Sequence, residues 1–132
     1  MMRVVFVCVE NSNRSQMAEG FARHFGGSQV DAHSAGSRPS GSINPKAIRA
    51  MAEKGIDISR NASKSLDELP KTHWDWIVTM GCGDACPHLP ARNRADWNLP
   101  DPRDMEPHEF SEVRDEIERR VRALLSSESI DL

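Results

Sequence analysis

Short apolar runs rich in β-branched residues alternate along the chain with stretches whose apolar positions recur at helical spacing. Residues 3–9 (RVVFVCV) are almost wholly apolar, which is typical of a central parallel strand covered on both faces. Residues 29–34 and 76–80 predict two further strands, and residues 95–99 predict a short fourth. The pattern therefore predicts a sheet built from strands that are far apart in sequence.

Three helices are predicted between and after these strands. The first has an apolar face and stops at the pair Gly26-Gly27; that face consists of Met17, Ala18, Phe21, Ala22 and Phe25. In the second, Asn44 is the expected N-cap, Pro45 the first helical residue, and Gly55 lies just past the end. Its inward face is predicted to be Ala47, Ile48, Met51 and Ala52.

The last predicted helix covers residues 109–126. Apolar residues spaced by three or four positions predict a buried stripe, formed by Phe110, Val113, Ile117, Val121 and Leu124. Oppositely charged residues four positions apart predict a solvated opposite face, with the pairs Asp115–Arg119, Glu116–Arg120 and Glu118–Arg122.

Strands that alternate with helices indicate an α/β fold. We expect a single three-layer domain over residues 1–132, with a four-stranded, mostly parallel sheet and helices on both faces. Ligands of such folds bind beyond the carboxyl ends of the strands. Cys8 and Cys82 both follow predicted strands, so we expect them at the same edge of the sheet.

Composition narrows the function classes. With 17 basic and 20 acidic residues the net charge is −3, which gives no electrostatic footprint for nucleic acid or an anionic membrane. The first apolar run is too short for a signal sequence or a membrane span. Three cysteines are an odd number, which does not fit a secreted disulfide scaffold. We therefore expect a cytoplasmic protein that binds neither nucleic acid nor membranes. A monomer is a separate expectation, which composition does not decide.

Residues 8–15 (CVENSNRS) lie between the first strand and the first helix. A turn at this place can direct successive backbone N–H groups and a helix dipole at one anion. The planar guanidinium of Arg14 can bind two oxygens of a tetrahedral oxyanion. The loop is therefore predicted to bind an oxyanion through Val9, Glu10, Asn11, Ser12, Asn13, Arg14 and Ser15.

The same surroundings favour the thiolate form of Cys8, which makes this residue a candidate nucleophile. The Ser15 hydroxyl can donate a hydrogen bond to the sulfur, and Asn11 and Asn13 tolerate the left-handed backbone that a tight anion loop requires. The alternative is a buried cysteine at the end of a strand, followed by an exposed arginine without a role in binding.

The residues of this loop and of the helix after it resemble those of a known family. Cys8-x5-Arg14-Ser15, followed by Gln16-Met17-Ala18-Glu19, resembles the opening of the low-molecular-weight tyrosine phosphatase fold and, more narrowly, of the arsenate reductases built on that fold. The similarity extends over nearly the whole chain. Its further segments are Ser34-Ala35-Gly36, Asn44-Pro45-Lys46-Ala47, Asp57-Ile58-Ser59, Val78-Thr79-Met80-Gly81-Cys82, Asp101-Pro102 and Val113-Arg114-Asp115-Glu116-Ile117.

Two features favour the reductases over the phosphatases. The chain has no tyrosine, whereas phosphatases of this fold usually carry a tyrosine pair beside the substrate cleft. Cys82 and Cys86 add a thiol pair that hydrolysis does not need, and arsenate reduction requires two electrons from thiols. Two alternatives stay open: a phosphotyrosine or phosphoester phosphatase that uses Cys8, Arg14 and Asp101, and a module whose thiols capture arsenite or a soft metal.

The resemblance implies a disulfide relay. Cys8 attacks arsenate with Asp101 as the proton donor, Cys82 then attacks Cys8, and Cys86 attacks Cys82. Arsenate is the implied substrate, with phosphate or sulfate as analogues, and no tightly bound cofactor or metal is expected. Electrons would come from thioredoxin, or from glutaredoxin or a low-molecular-weight thiol. A zinc site at Cys82, Cys86 and His88 is a less favoured alternative, since no fourth ligand is nearby.

Two departures from the family pattern concern the loop. Glu10 stands where relatives usually have glycine, and we expect its side chain to face solvent. Some relatives hold a potassium ion behind the loop, and Asn11, Glu19 and Ser34 match three of its ligands. Lys64 stands where the fourth ligand, an aspartate, would be. Our hypothesis is that the Lys64 ammonium replaces the ion and pairs with Glu19.

Overall fold

The computed structural model describes residues 1–81 and 89–130. Within these ranges all strand pairs are parallel, in the order β2-β1-β3-β4, which confirms the expected four-stranded α/β architecture. The elements are β1 (Met2–Cys8), α1 (Arg14–Gly26), β2 (Val30–Gly36), α2 (Pro45–Ala52), β3 (Trp74–Thr79), β4 (Ala91–Asp96) and α3 (Pro107–Ser127).

Strand β1 lies inside the sheet, and its alternate side chains enter two separate apolar layers. Val4 and Phe6 pack with residues of α1, α2 and α3 on one face. Val5 and Val7 pack on the other face, where a 3-10 turn at Leu66–Glu68 supplies part of the cover. Because both faces of β1 are covered, nearly every residue of this strand must be apolar, as its sequence predicts.

The fourth strand lies earlier in the chain than its apolar pattern predicts. We expected residues 95–99, whereas β4 is Ala91–Asp96. Its residues alternate between exposed and half-buried, because within residues 1–81 and 89–130 β4 is an edge strand whose one partner is β3. Charged residues such as Arg92 discourage further pairing at an open edge. Because of these charged residues, the hydrophobic pattern of the sequence does not predict a strand at this place.

The predicted helices are present, with corrections to side-chain placement in α2. Asn44 caps the helix by accepting a hydrogen bond from the Lys46 backbone N–H at 2.9 Å. Ala47 and Met51 are buried as expected, but Ala52 is exposed and Ala50 is buried instead. Ala50 lies three residues after Ala47, which is nearly one helical turn, so the two alanines share the buried face of α2.

In α3 the predicted buried stripe is confirmed, whereas one of the three charge pairs is wrong. Asp115 does not pair with Arg119; it contacts Arg114 at 2.9 Å and Lys54 at 3.6 Å. Arg119 pairs instead with Glu116, which Arg120 also contacts. Hydrogen bonds from the two arginines lower the pKa of Glu116 below its ordinary value.

The helices carry many charges, and none in the described ranges is long and apolar enough to cross a membrane. Residues 82–88, which include Cys82, Cys86 and His88, lie outside the described residues. The described part of the candidate site is therefore built by β1, α1 and the segments around them.

Candidate active site

The Cys8–Ser15 loop lies at the carboxyl edge of the sheet, as the sequence predicts. Cys8 is the last residue of β1, and Arg14 begins α1. The structure places the Cys8 side chain in a pocket of about 200 Å³. The pocket is lined by Cys8, Val9, Glu10, Ser12, Asn13, Arg14, Asp101 and Arg103.

The carbonyl oxygens of the loop are occupied by groups outside the pocket. The oxygen of Val9 accepts from the N–H of Arg38 at 2.8 Å, that of Glu10 from Ser40 at 3.0 Å, and that of Ser12 from Asn44 at 3.1 Å. In a trans peptide the C=O and the next N–H point in opposite directions. The following N–H groups therefore point away from these partners, and the loop can offer donors to an anion.

A chain of hydrogen bonds leads to the Cys8 sulfur. The Ser15 Oγ lies 2.8 Å from Cys8 Sγ and accepts a hydrogen bond from Asn11 Nδ2, also at 2.8 Å. All three residues are buried. Asn11 has a positive φ of 51°, which confirms the left-handed conformation expected there, whereas Asn13 has a φ of −127° as the N-cap of α1 and does not adopt it.

Gln16 holds the loop from behind, a role that sequence analysis missed. Its Nε2 donates to the backbone oxygen and the Oδ1 of Asn11, at 3.2 and 3.0 Å, and to the Ala62 oxygen at 2.9 Å. The backbone N–H of Lys64 also donates to Asn11 Oδ1 at 3.0 Å. A fully buried amide in the first turn of a helix is unusual, but the sequence does not reveal that Gln16 is buried.

Arg14 closes the pocket from the side of the fourth strand. Its side chain is only 9% exposed, and its Nη1 donates to the Leu99 carbonyl at 2.9 Å. Nη2 lies 4.0 Å from Asp101 Oδ2. A Cβ atom added to Gly81, whose φ is +76°, would lie 3.0 Å from Nη1, so Gly81 leaves room for the guanidinium.

From the sequence we expected the Glu10 side chain to face solvent, but in the structure this side chain is only partly exposed. Its carboxylate is half-buried and accepts a hydrogen bond from Arg103 Nη1 at 2.9 Å. The ion pair offsets the negative charge that Glu10 brings to a loop for anions. Arg103 was not predicted, because it lies 93 residues from Glu10 and no local pattern links the two.

Behind the loop, a buried carboxylate meets two cations. Glu19 is 1% exposed and accepts from the Ser34 hydroxyl at 2.6 Å. Lys64 Nζ lies 3.9 Å from its Oε1, and Arg23 Nη2 lies 3.1 Å from its Oε2. The structure thus brings together Ser34, Glu19 and Lys64 as the sequence analysis expected. Arg23 was missed, although its position four residues after Glu19 was a visible signal.

The distal thiols Cys82 and Cys86 fall outside the described residues, and so does the zinc alternative that includes His88. In the described ranges no three His, Cys, Asp or Glu side chains are grouped as metal ligands would be. In the described residues the pocket therefore combines one buried thiol, the guanidinium groups of Arg14 and Arg103, and the carboxylates of Glu10 and Asp101. Such a site can bind a tetrahedral oxyanion and attack it.

The chain is similar over nearly its whole length to members of one protein family. The family model described as low molecular weight phosphotyrosine protein phosphatase matches residues 3–131. An arsenate reductase of Staphylococcus xylosus is 44% identical over 122 residues, covering 89% of this chain and 92% of that protein. An arsenate reductase of Halalkalibacterium halodurans is 40% identical over 129 residues, covering 90% of this chain and 91% of that protein.

Two solved structures extend this result. The structure described as an arsenate reductase in the phosphate binding state has a TM-score of 0.87 and 36% identity, and the match covers 96% of this chain and 98% of that one. A thioredoxin-dependent arsenate reductase of Corynebacterium glutamicum has a TM-score of 0.80 and 36% identity. That match covers 96% of this chain and 61% of the longer relative.

Proposed function

Since the chain belongs to the low molecular weight phosphotyrosine protein phosphatase family, we propose that it is an arsenate reductase in which the Cys8 thiolate attacks arsenate. The observation that carries this proposal is the Cys8–Ser15 loop. It combines a buried thiol 2.8 Å from the Ser15 hydroxyl with a neighbouring guanidinium. The curated relatives named arsenate reductase favour reduction over hydrolysis.

In the first step the Cys8 sulfur forms a bond to arsenic, and one arsenate oxygen leaves. The backbone donors of the loop and Arg14 bind the remaining oxygens and stabilise their charge. Asp101 lines the same pocket, 4.0 Å from Arg14, and it supplies the proton with which the departing oxygen becomes water. Ser15 stabilises the Cys8 thiolate before the attack.

In the second step the Cys82 thiolate attacks the Cys8 sulfur. A Cys8–Cys82 disulfide forms, the arsenic–sulfur bond breaks, and its electron pair stays on arsenic, which leaves as arsenite. In the third step the Cys86 thiolate attacks Cys82 and releases Cys8 as a thiolate. The net electron donors are Cys82 and Cys86, so arsenic gains the two electrons that these two thiols lose when they form the disulfide.

Thioredoxin is the proposed reductant of the Cys82–Cys86 disulfide. A structural relative is described as thioredoxin-dependent, and a dithiol reductant returns both electrons in one exchange. Glutaredoxin and low-molecular-weight thiols are the other reductants that the chemistry permits. No further cofactor is needed, because thiols supply every electron.

A pairing of Lys64 with Glu19 belongs to the same proposal. Relatives that hold potassium behind the loop would place the ion among oxygen ligands. Here the Lys64 ammonium lies 3.9 Å from Glu19, and Arg23 contacts the same carboxylate. Two cationic side chains around one carboxylate are unsuited to a further cation. We propose that Lys64 supplies the positive charge that steadies Glu19, Ser34 and the loop.

Hydrolysis of a phosphoester is the second candidate, because the family name and the pocket of Cys8, Arg14 and Asp101 suit it equally. The two activities differ in their need for Cys82 and Cys86. Residual phosphatase activity would therefore accompany either function, since one loop serves both reactions. Only sustained arsenate turnover separates them.

The experiment is a coupled assay of arsenate-dependent NADPH oxidation, with thioredoxin and thioredoxin reductase, compared with glutaredoxin and small thiols. The wild-type protein is expected to turn over repeatedly with thioredoxin. Cys8→Ser is expected to be inactive, and Cys82→Ser to stop after at most one event. Hydrolysis of an aryl phosphate by both the wild type and Cys82→Ser, with no sustained arsenate turnover by the wild type, would instead make the protein a phosphatase.

A further inference from the structure

An ion pair between two segments far apart in sequence lies at the solvent side of the pocket, because both of its side chains line the pocket and are partly exposed, Glu10 by 38% and Arg103 by 54%. Glu10 belongs to the Cys8–Ser15 loop, whereas Arg103 follows the segment of Asp101 on the opposite side. Arg103 Nη1 donates to Glu10 Oε1 at 2.9 Å. Both residues line the pocket that contains the Cys8 sulfur. We call this pair the Glu10–Arg103 bridge.

The backbone is anchored by hydrogen bonds at both ends of the bridge. The Arg103 N–H donates to Asp101 Oδ1 at 3.1 Å, and Lys46 Nζ donates to the Arg103 carbonyl at 3.0 Å. On the other side, the Glu10 carbonyl accepts from Ser40 N and from Ser63 Oγ, each at 3.0 Å. Fixed backbones reduce the entropy lost when the side chains pair. The bridge therefore forms at one defined place.

The orientation of a bound substrate decides which of its groups would meet the bridge. Oxygens of a bound oxyanion face the loop N–H groups and Arg14, and the central atom faces Cys8. A phosphoester has the same tetrahedral head, but one of its oxygens carries an organic group. That group cannot point into the loop, since the loop is closed by Ser15 and Asn11 behind it. It must leave through the mouth, where the bridge lies.

We propose that the Glu10–Arg103 bridge determines substrate specificity: it admits free tetrahedral oxyanions and disfavours phosphoesters with an aryl or similarly bulky group. This inference rests on the proposed oxyanion site and extends it to the choice of substrate. Because the two charges neutralise each other, the bridge narrows the mouth without repelling the anion. An ester must open the bridge or distort it, whereas arsenate and phosphate need not.

The test measures binding and not turnover. The probes are inorganic phosphate and phenylphosphonate, a non-hydrolysable anion with the same head and an added ring. Each is titrated for its ability to protect Cys8 from iodoacetamide, and alkylation is followed by mass spectrometry of the Cys8 peptide. In the wild type, phosphate is expected to protect at lower concentration than phenylphosphonate.

Breaking the bridge should improve binding of the probe that carries the ring relative to phosphate. The ratio of the phenylphosphonate to the phosphate protection constant is expected to fall by roughly three- to tenfold in Glu10→Gly and in Arg103→Ala, since exposed ion pairs contribute modestly. Phosphate itself is expected to bind more tightly in Glu10→Gly and more weakly in Arg103→Ala, because each variant leaves one charge of the pair uncompensated beside the anion. The double variant should gain no more than either single variant, because both changes remove one interaction.

Two control variants are used. One tests whether the size or the charge of the Glu10 side chain matters, and the other tests whether the loss of any surface ion pair has the same effect. Glu10→Gln keeps the length and an acceptor oxygen for Arg103, so most of the discrimination should remain. Arg119→Ala removes an exposed ion pair with Glu116 on α3 and should change neither probe. Equal protection by both probes in the wild type, or an equal change for both in Glu10→Gly, would overturn the proposal.

The same data distinguish this inference from the function on which it rests. If the variants shift the preference between probes but the wild type reduces no arsenate, the proposed activity is wrong and the bridge still selects small anions. If arsenate is reduced while the preference does not change, the bridge has no part in specificity. Each failure has its own readout.

Discussion

The Ser15 Oγ lies 2.8 Å from the Cys8 Sγ, within a short hydrogen-bond chain that begins at Asn11. Ser15 Oγ accepts from Asn11 Nδ2 at 2.8 Å, and this bond leaves the Ser15 proton free to donate. When Cys8 is a thiolate its sulfur can only accept, so Ser15 is the donor. The contact therefore stabilises the thiolate more than the neutral thiol.

Removal of this hydroxyl should slow the chemistry at Cys8. Ser15→Ala is expected to lower the rate of Cys8 alkylation at neutral pH by about tenfold, because hydrogen bonds to charged groups contribute about 1.5–3 kcal/mol. The steady-state rate of arsenate reduction should fall in parallel. The measurement is the pH profile of iodoacetamide alkylation, read at the Cys8 peptide.

Ser37→Ala is the matched control for Ser15→Ala. The Ser37 hydroxyl is buried and has no hydrogen-bond partner among the described residues, so its removal should leave the alkylation profile unchanged. An unchanged profile in Ser15→Ala as well would show that the Ser15 contact does not stabilise the thiolate.

Gly81 leaves the space that Arg14 occupies. Gly81→Ala adds a Cβ at 3.0 Å from Arg14 Nη1 and places an alanine at a φ of +76°. We expect a loss of about 1 kcal/mol in the free energy of unfolding from the backbone. A weaker affinity for phosphate should follow from the displaced guanidinium. Thermal unfolding and protection of Cys8 by phosphate measure the two effects.

Gly55→Ala is the control that separates the effect of backbone strain from the effect of a contact with Arg14. Gly55 has a φ of +75°, and no heavy atom lies within 4 Å of an added Cβ, so this variant carries the strain alone. It should lose similar stability and keep its affinity for phosphate. If both variants bound phosphate as the wild type does, Gly81 would have no role in placing Arg14.

Lys64 provides a test of how the loop is supported. Lys64→Ala removes one of the two cations at the buried Glu19 carboxylate, while Arg23 remains. We expect a loss of about 1–2 kcal/mol in the free energy of unfolding, less than for a buried charge left with no partner. Potassium chloride should raise the Tm of the wild type no more than sodium chloride does.

Lys54→Ala is the control for the loss of a lysine, since Lys54 pairs with Asp115 and Glu118 on the surface of α3. Its effect on stability should stay below about 1 kcal/mol. A rise in the Tm or activity of the wild type that is specific to potassium would contradict the role proposed for Lys64.

The residues that could be predicted from the sequence are those whose role depends on near neighbours. Strand β1 is nearly all apolar because both faces are covered, and the N-cap Asn44 acts within its own helix. Strand β4 was misplaced because an edge strand needs few apolar residues. Asp115 was paired wrongly because a helix pattern does not include Lys54 from another segment.

The same distinction applies to the site. Cys8, Arg14 and Ser15 occupy one continuous loop whose chemistry is visible in its residue types. Arg103 and the buried Gln16 act through contacts with residues that the chain brings near only on folding. Gly36 is another example: an added Cβ would lie 2.5 Å from the Val9 carbonyl, a close approach that its flanking residues do not reveal.

The central claim is that Cys8 is the arsenate nucleophile and that Cys82 and Cys86 receive its oxidation. The most direct measurement adds arsenate to fully reduced protein without any reductant and maps disulfides by mass spectrometry. The account predicts a Cys82–Cys86 disulfide in the wild type, a trapped Cys8–Cys82 disulfide in Cys86→Ser, and none in Cys8→Ser, with arsenite released in the first two. A Cys82–Cys86 disulfide formed at the same rate by Cys8→Ser, or no arsenate-dependent disulfide in the wild type, would contradict it.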